Sequence, residues 1–142
     1  MDLDHVERIN DAYGHTAGDM VLSEIGKMLK KCTRQSDLVC RYGGEEFALV
    51  LPNTRPEKAH IVCQRFREMV AGHQFKHNSS KFQVTPSIGT ASLSESKSGS
   101  PEKLVDLADQ ALYQAKDGGR NRVVEHSVVD LPGESTEKDQ EM

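Results

Sequence analysis

The spacing of apolar side chains switches repeatedly between two periods along this chain, and few folds satisfy that alternation. Residues 19–32 carry Val21, Ile25, Met28, Leu29 and Cys32 at helical spacing, which places them on one face of an amphipathic helix. Residues 38–42 (LVCRY) and 46–51 (EFALVL) then read as two strands joined by a Gly-Gly turn. Thr54 to Glu57 has capping-box spacing and predicts the start of a second helix, whose stripe is Ala59, Val62, Cys63, Phe66 and Val70. Residues 81–93 (KFQVTPSIGTASL) read as one strand, in which Pro86 implies an edge position or a bulge. The stretch 94–100 (SESKSGS) predicts a flexible loop. Ser100 and Pro101 start a third helix; its stripe is Leu104, Leu107, Ala108, Ala111, Leu112 and Ala115, and Gly118-Gly119 ends it. A short strand follows near 121–125. Helices alternating with strands around a central hairpin predict an α/β (α+β) sandwich, with a mixed, mainly antiparallel sheet flanked by helices.

The chain has 142 residues, room for one domain with a real core. That domain is expected over residues 1–126, with 127–142 a disordered tail; from 130 onward no apolar period is left. The formal net charge of −4 speaks against a nucleic-acid grip, which needs a basic patch. It leaves room for a nucleotide substrate held by two or three placed cations and a metal. No apolar run approaches the roughly 20 residues of a membrane span, and no signal-like start is visible. The expectation is a cytoplasmic chain without direct membrane contact, although a parent protein could be anchored. The three cysteines, Cys32, Cys40 and Cys63, are odd in number and lack CxxC spacing, which predicts reduced core residues. His73 and His77 predict a polar surface pair.

Four clusters carry chemistry. In the turn at 42–47, Gly43 and Gly44 precede Glu45 and Glu46. Glycines remove Cβ atoms and let a bulky ligand approach the backbone. Adjacent acids repel unless a cation neutralises them, and Mg²⁺ favours carboxylates together with substrate phosphates. A solvated charged turn is the plain alternative. Asp2-Leu3-Asp4 is a second acidic cluster. Asn10 and Asp19, an amide and a carboxylate, could together read the guanine edge; helix capping by Asp19 and a turn role for Asn10 are the alternative. Lys116 and Arg120 close the third helix, where cations favour the dipole or hold phosphate oxygens.

These segments together resemble the GGDEF family of diguanylate cyclases. DLDHVERINDAYGHTAGD resembles the family's DxDxFKxxND…GHxxGD segment, and RYGGEEF its signature in the Glu variant. PSIGTA resembles its SIGVA strand, and ADQALYQAKDGGRNRV its ADxALYxAKxxGRNRV block. Four blocks in the right order, from residue 1 to about 125, are specific where GGEEF alone would not be. The resemblance implies a fold like the palm of polymerases and class III nucleotide cyclases, and an enzyme that condenses two GTP into cyclic di-GMP with release of pyrophosphate. It implies that Asp2, the Leu3 carbonyl and Glu45 hold Mg²⁺ (or Mn²⁺), with Asp4 supporting the site by proximity. Gly43 and Gly44 would let phosphates and ribose lie on the turn, and Glu46 would sit beside the reacting hydroxyl. Asn10 and Asp19 would read guanine; Lys116 and Arg120 would bind phosphates. Each domain would hold one GTP, so catalysis would need a homodimer. Arg34 and Asp37 resemble the family's RxxD inhibitory site for cyclic di-GMP.

Three departures from the family pattern qualify these expectations. Val6 and Glu7 stand where the family has Phe and Lys, and Glu7 reverses a charge expected near the phosphates. Pro86 precedes the SIG strand. The family has a helix, a DxLTGLxNR segment and a strand ahead of the first metal Asp, whereas only Met1 precedes Asp2 here. An N-terminally truncated domain is therefore expected, with weakened or absent turnover compared with a chain that restores the strand, and with a regulatory domain in the parent protein. The rival reading is a catalytically silent module that senses cyclic di-GMP or GTP.

Overall fold

The computed structural model describes residues 1–93 and 100–126. Helix α1 (Val6–Tyr13) follows a two-residue strand β1 (Asp2–Leu3), and α2 (His15–Cys32) follows α1 after Gly14. Gly14 has φ 101°, a conformation open to glycine and costly to other residues, so it turns the chain sharply between the two helices. The face of α2 formed by Ala17, Val21, Ile25 and Leu29 is fully buried. Burial of each large side chain there contributes about 1.5–3 kcal/mol.

The hairpin strands β2 (Leu38–Arg41) and β3 (Phe47–Val50) fall where the sequence places them. Helix α3 (Pro56–Gly72) buries Cys63, Phe66 and Val70. The capping box is not formed. The N-cap is Arg55, without a side-chain cap bond, and the Thr54 hydroxyl instead donates to the Pro52 carbonyl at 3.0 Å. At the next helix, α4 (Pro101–Asp117), the expected cap is present: the Ser100 hydroxyl accepts from the Lys103 N–H at 3.2 Å.

The stretch read as one strand over 81–93 is two. Strand β4 (Phe75–His77) pairs with β5 (Ser80–Phe82), and β6 (Pro86–Ala91) is separate. Pro86 is neither at a sheet edge nor at a bulge. It is the first residue of the middle strand in the order β1-β6-β7, opposite Leu3, a position where a missing N–H is tolerated. Strand β7 (Arg122–His126) runs parallel to β6, while β1 runs antiparallel to it. Residues 1–3 also join this sheet to the hairpin. The Phe47 N–H donates to the Met1 carbonyl at 2.9 Å, the Leu3 N–H donates to the Glu45 carbonyl at 3.3 Å, and Asp2 bridges Glu46. The result is the mixed, mainly antiparallel arrangement with helices packed on it.

Helix α4 lies against β6 at Gly89. A Cβ there would stand 2.2 Å from the Leu112 backbone nitrogen and 2.4 Å from the Ala108 carbonyl oxygen. Only a glycine permits that approach, and it fixes the height at which the end of α4 meets β1. Of the cysteines, Cys63 is buried, Cys32 is half-buried, and Cys40 is exposed on β2. The core expectation therefore fails for Cys40, whose strand turns that face to solvent. Burial pushes the Cys63 thiol up to about 11. His73 and His77 do not pair with each other: His73 meets Glu24 at 3.1 Å and His77 meets Thr16 at 3.0 Å. The 127–142 tail and nearly all of the 94–100 loop lie outside the described residues.

Candidate active site

Three elements distant in sequence meet at β1. The hairpin turn brings Glu45 and Glu46, β1 brings Asp2 and Leu3, and the end of α4 brings Lys116 and Arg120. Lys116 Nζ donates to Asp2 Oδ2, a contact between residues 114 positions apart. The other oxygen, Asp2 Oδ1, is buried and has no hydrogen-bond partner. A buried carboxylate oxygen left unpaired is costly, and a cation would satisfy this one.

Glu45 is placed beside it. Burial, then the neighbouring Asp2 and Glu7 carboxylates, hold the Glu45 carboxyl above its ordinary value, against the opposing Lys116 charge. The Leu3 N–H points at the Glu45 carbonyl. In a strand the N–H and C=O of one residue point to the same side, so the Leu3 carbonyl also faces the hairpin. Two carboxylates and a backbone carbonyl make an all-oxygen set of the kind hard divalent cations take. Among the described residues no group of three or more His, Cys, Asp or Glu side chains converges on one point; the set here is smaller and leaves positions for substrate oxygens.

Asp4 is differently occupied. Its Oδ1 accepts from the Ser87 hydroxyl at 2.6 Å; its Oδ2 accepts from the Thr85 hydroxyl at 2.6 Å and the Asn121 N–H at 3.1 Å. Arg120 Nε stands 4.0 Å away. Asp4 therefore ties β1 to the start of β6 and to the loop after α4, rather than opening toward a ligand. That loop is strained in a consistent way. Gly119, Arg120 and Asn121 have φ of 119°, 64° and 46°, and positive φ in consecutive residues persists only where the surroundings enforce it. Here the turn swings the Asn121 N–H onto Asp4 and brings Arg120 alongside.

At the turn itself neither Gly43 nor Gly44 has a positive φ, so the backbone does not demand glycine. Nothing lies within 4 Å of a Cβ built on Gly44, whereas one on Gly43 would meet Glu46 Oε2 at 3.3 Å. The Arg41 guanidinium donates to the Gly43 carbonyl at 3.3 Å and to the Gly44 carbonyl at 2.6 Å. Sequence reasoning gave Arg41 no role, although it stands at the head of the RYGGEEF signature.

Asn10 lies on α1 and accepts from the Gly18 N–H at 2.9 Å through Oδ1. A Cβ on Gly18 would stand 2.4 Å from that oxygen, so Gly18 admits the contact. The amide thereby sits beside the first turns of α2, next to Asp19. Asp19 is exposed and is the fifth residue of α2, whose N-cap is Gly14, so the capping alternative for Asp19 is wrong. Elsewhere, Arg34 and Asp37 pair directly at 3.1 Å, and Arg34 Nη2 also donates to the Pro52 carbonyl and the Thr54 hydroxyl. The Arg34 hydrogen bonds hold the Asp37 carboxyl below its ordinary value. A cavity of about 270 Å³ adjoins the pair, lined by Lys30, Thr33, Arg34, Gln35, Asp37 and Val39.

The family model for the diguanylate cyclase GGDEF domain matches residues 1–122. The chain is a GGDEF domain. It is 45% identical over 123 residues to diguanylate cyclase A of Treponema denticola, covering 87% of this chain and 33% of that protein. It is 41% identical over 123 residues to diguanylate cyclase DgcP of Pseudomonas aeruginosa, covering 87% of this chain and 18% of that protein. This GGDEF domain thus spans about a third or less of these curated relatives. Among solved structures, the GGDEF domain of DgcB from Caulobacter crescentus in complex with c-di-GMP superposes with a TM-score of 0.80. The identity is 32%, covering 87% of this chain and 73% of that one. The active GGEEF domain of a diguanylate cyclase from Vibrio cholerae gives a TM-score of 0.79 at 34% identity, covering 88% of this chain and 78% of that one.

Proposed function

We propose that this GGDEF domain condenses two GTP molecules into cyclic di-GMP, using Mg²⁺ or Mn²⁺, and that cyclic di-GMP binds back at Arg34 and Asp37. The observation that carries the reading is the meeting of Glu45, the half-satisfied Asp2 and Lys116 at one place. In the reaction a ribose 3′ oxygen bonds to the α-phosphorus of the second GTP, the bond from that phosphorus to its bridging oxygen breaks, and pyrophosphate leaves. Asp2, Glu45 and the Leu3 carbonyl would hold a divalent cation, which would supply neutralisation of the charge spreading over the reacting phosphate. Lys116 and Arg120 hold the remaining phosphate oxygens, Lys as a point charge and Arg as a fork. Gly44 leaves the turn open to the nucleotide, and Glu46 lies beside the attacking hydroxyl. Asn10 and Asp19 orient guanine. Because one domain holds one GTP, two copies act together. In the parent protein this domain is the output of a regulatory domain, and it works in the cytoplasm.

The test is turnover of GTP with Mg²⁺, wild type beside Glu45→Ala. Product from the wild type and a loss of about a hundredfold or more in the variant is expected, the scale for deleting one group that stabilises developing charge. Equal turnover by both would remove the metal from the turn. No product from either, with cyclic di-GMP still bound and Arg34→Ala abolishing that binding, would make the domain a silent sensor.

A further inference from the structure

We propose that Lys116 serves as a tethered stand-in for the divalent cation. It holds the Asp2 carboxylate until the metal displaces it, and the displaced ammonium is then the group that engages the nucleotide phosphates. The inference rests on the reading that Asp2 is a metal ligand, and it adds an order of events to that reading.

The argument starts from the unequal circumstances of the two partners. The Asp2 side chain is 7% exposed and that of Lys116 is 32% exposed. The Asp2 backbone is held on both sides by the pairing of residues 1–3 with β6 and the hairpin. The backbone of α4 is equally fixed by its approach to Gly89. The movable part is the Lys116 side chain, a flexible four-carbon stem with its head partly in solvent. Asp2 Oδ2 takes the ammonium while Oδ1 takes nothing, so a single positive charge serves a carboxylate that has capacity for more. A divalent ion on Asp2 and Glu45 would bring a like charge up against the Lys116 ammonium, and the two would repel strongly at the effective dielectric near a protein surface. The ammonium must then leave, and its tether directs it to the open side of the site. Arg120 is no rival for the role. Its carboxylate, Asp4, already has three other donors, so Arg120 holds nothing that a metal needs.

The measurement is Mn²⁺ binding without nucleotide, followed by the electron paramagnetic resonance of free Mn²⁺, on folded protein checked by thermal unfolding. Lys116→Gln keeps a hydrogen-bond donor near Asp2 but removes the competing charge. It should bind Mn²⁺ about tenfold more tightly than the wild type, the worth of one charge-assisted hydrogen bond. Lys116→Arg keeps the charge and should show no such gain. Arg120→Gln removes a charge of the same sign nearby and should gain less. With Mn²⁺ saturating, Lys116→Gln should bind GTP severalfold more weakly. Unchanged or weaker Mn²⁺ affinity in Lys116→Gln, or an equal gain in Arg120→Gln, would overturn the stand-in role while leaving the metal site in place. Unchanged GTP affinity would overturn the hand-over to phosphate. Mn²⁺ binding that survives Asp2→Asn, or no binding to any of the proteins, would remove the metal from Asp2, and both readings would fall together.

Discussion

Asp2, in β1, and Asp4, just after it, are two residues apart, yet they live in opposite chemical conditions. Every oxygen of Asp4 is engaged by neutral donors from the chain itself, whereas Asp2 has one cation and one empty oxygen. Their neighbours explain the difference. Glu7 belongs to the same field, since its charge adds to the burial and the Asp2 charge that raise the Glu45 carboxyl. It lies in the first turn of α1 and is exposed, where an acid also favours the helix dipole. Glu7→Lys therefore moves two quantities in opposite directions. GTP affinity should rise severalfold, in line with about 1 kcal/mol for one exposed charge contact. Stability in urea should fall by about 0.5 kcal/mol, because a cation replaces an acid at the helix start. Nucleotide titration and equilibrium unfolding check both. A fall in GTP affinity would mean that Glu7 binds substrate through its own carboxylate.

The element that fixes the site is α4, and its docking hangs on Gly89. Gly89→Ala puts a methyl carbon against backbone atoms of α4, which cannot rotate away as a side-chain tip would. The helix must lift, at a cost of about 3 kcal/mol, and Lys116 and Arg120 lift with it. Unfolding in urea should show the destabilisation, and GTP affinity should fall in parallel; a stable variant with weak GTP binding would mean the helix tilts rather than lifts. Both ends of α4 and the hairpin were legible in the sequence, because a Ser-Pro start, a Gly-Gly stop and strand runs around a Gly-Gly turn are local signals. Helix α1 was not read as a helix, since its core face is only Val6 and Ile9 with Tyr13 packed beside them, too few residues in eight to establish a period. The break between β5 and β6 was missed because Gln83, Val84 and Thr85 continue the alternation while leaving the ladder. The capping box failed because Arg34 competes for the Thr54 hydroxyl from 20 residues away, a contact no local pattern contains. Likewise the motifs pointed to Asp2 and Lys116 separately, but their pairing across 114 residues follows only from the docking of α4.

At the scale of the whole molecule, the described residues supply one carboxylate pair proposed to hold the metal, one pair of cations proposed to hold phosphate and one candidate guanine site. The proposed product contains two guanosines joined by two phosphodiester bonds, so the bond-forming step needs a second nucleotide presented from outside this chain. A second copy is the simplest source, and two copies related by a two-fold axis would present each 3′-hydroxyl to the other's α-phosphorus. The rate law then separates this arrangement from one in which a single chain holds both nucleotides. At GTP and Mg²⁺ saturation, turnover per chain should rise in proportion to protein concentration while dimers are scarce, and level off once most chains are paired. A mixture of active wild type with excess Glu45→Ala should lose more activity than dilution alone explains, because mixed pairs hold only one complete metal site. Turnover per chain that stays constant across about a hundredfold range of protein concentration, with no loss in the mixture, would mean that one chain completes the reaction or that the pair never dissociates; sedimentation at the same concentrations distinguishes those two.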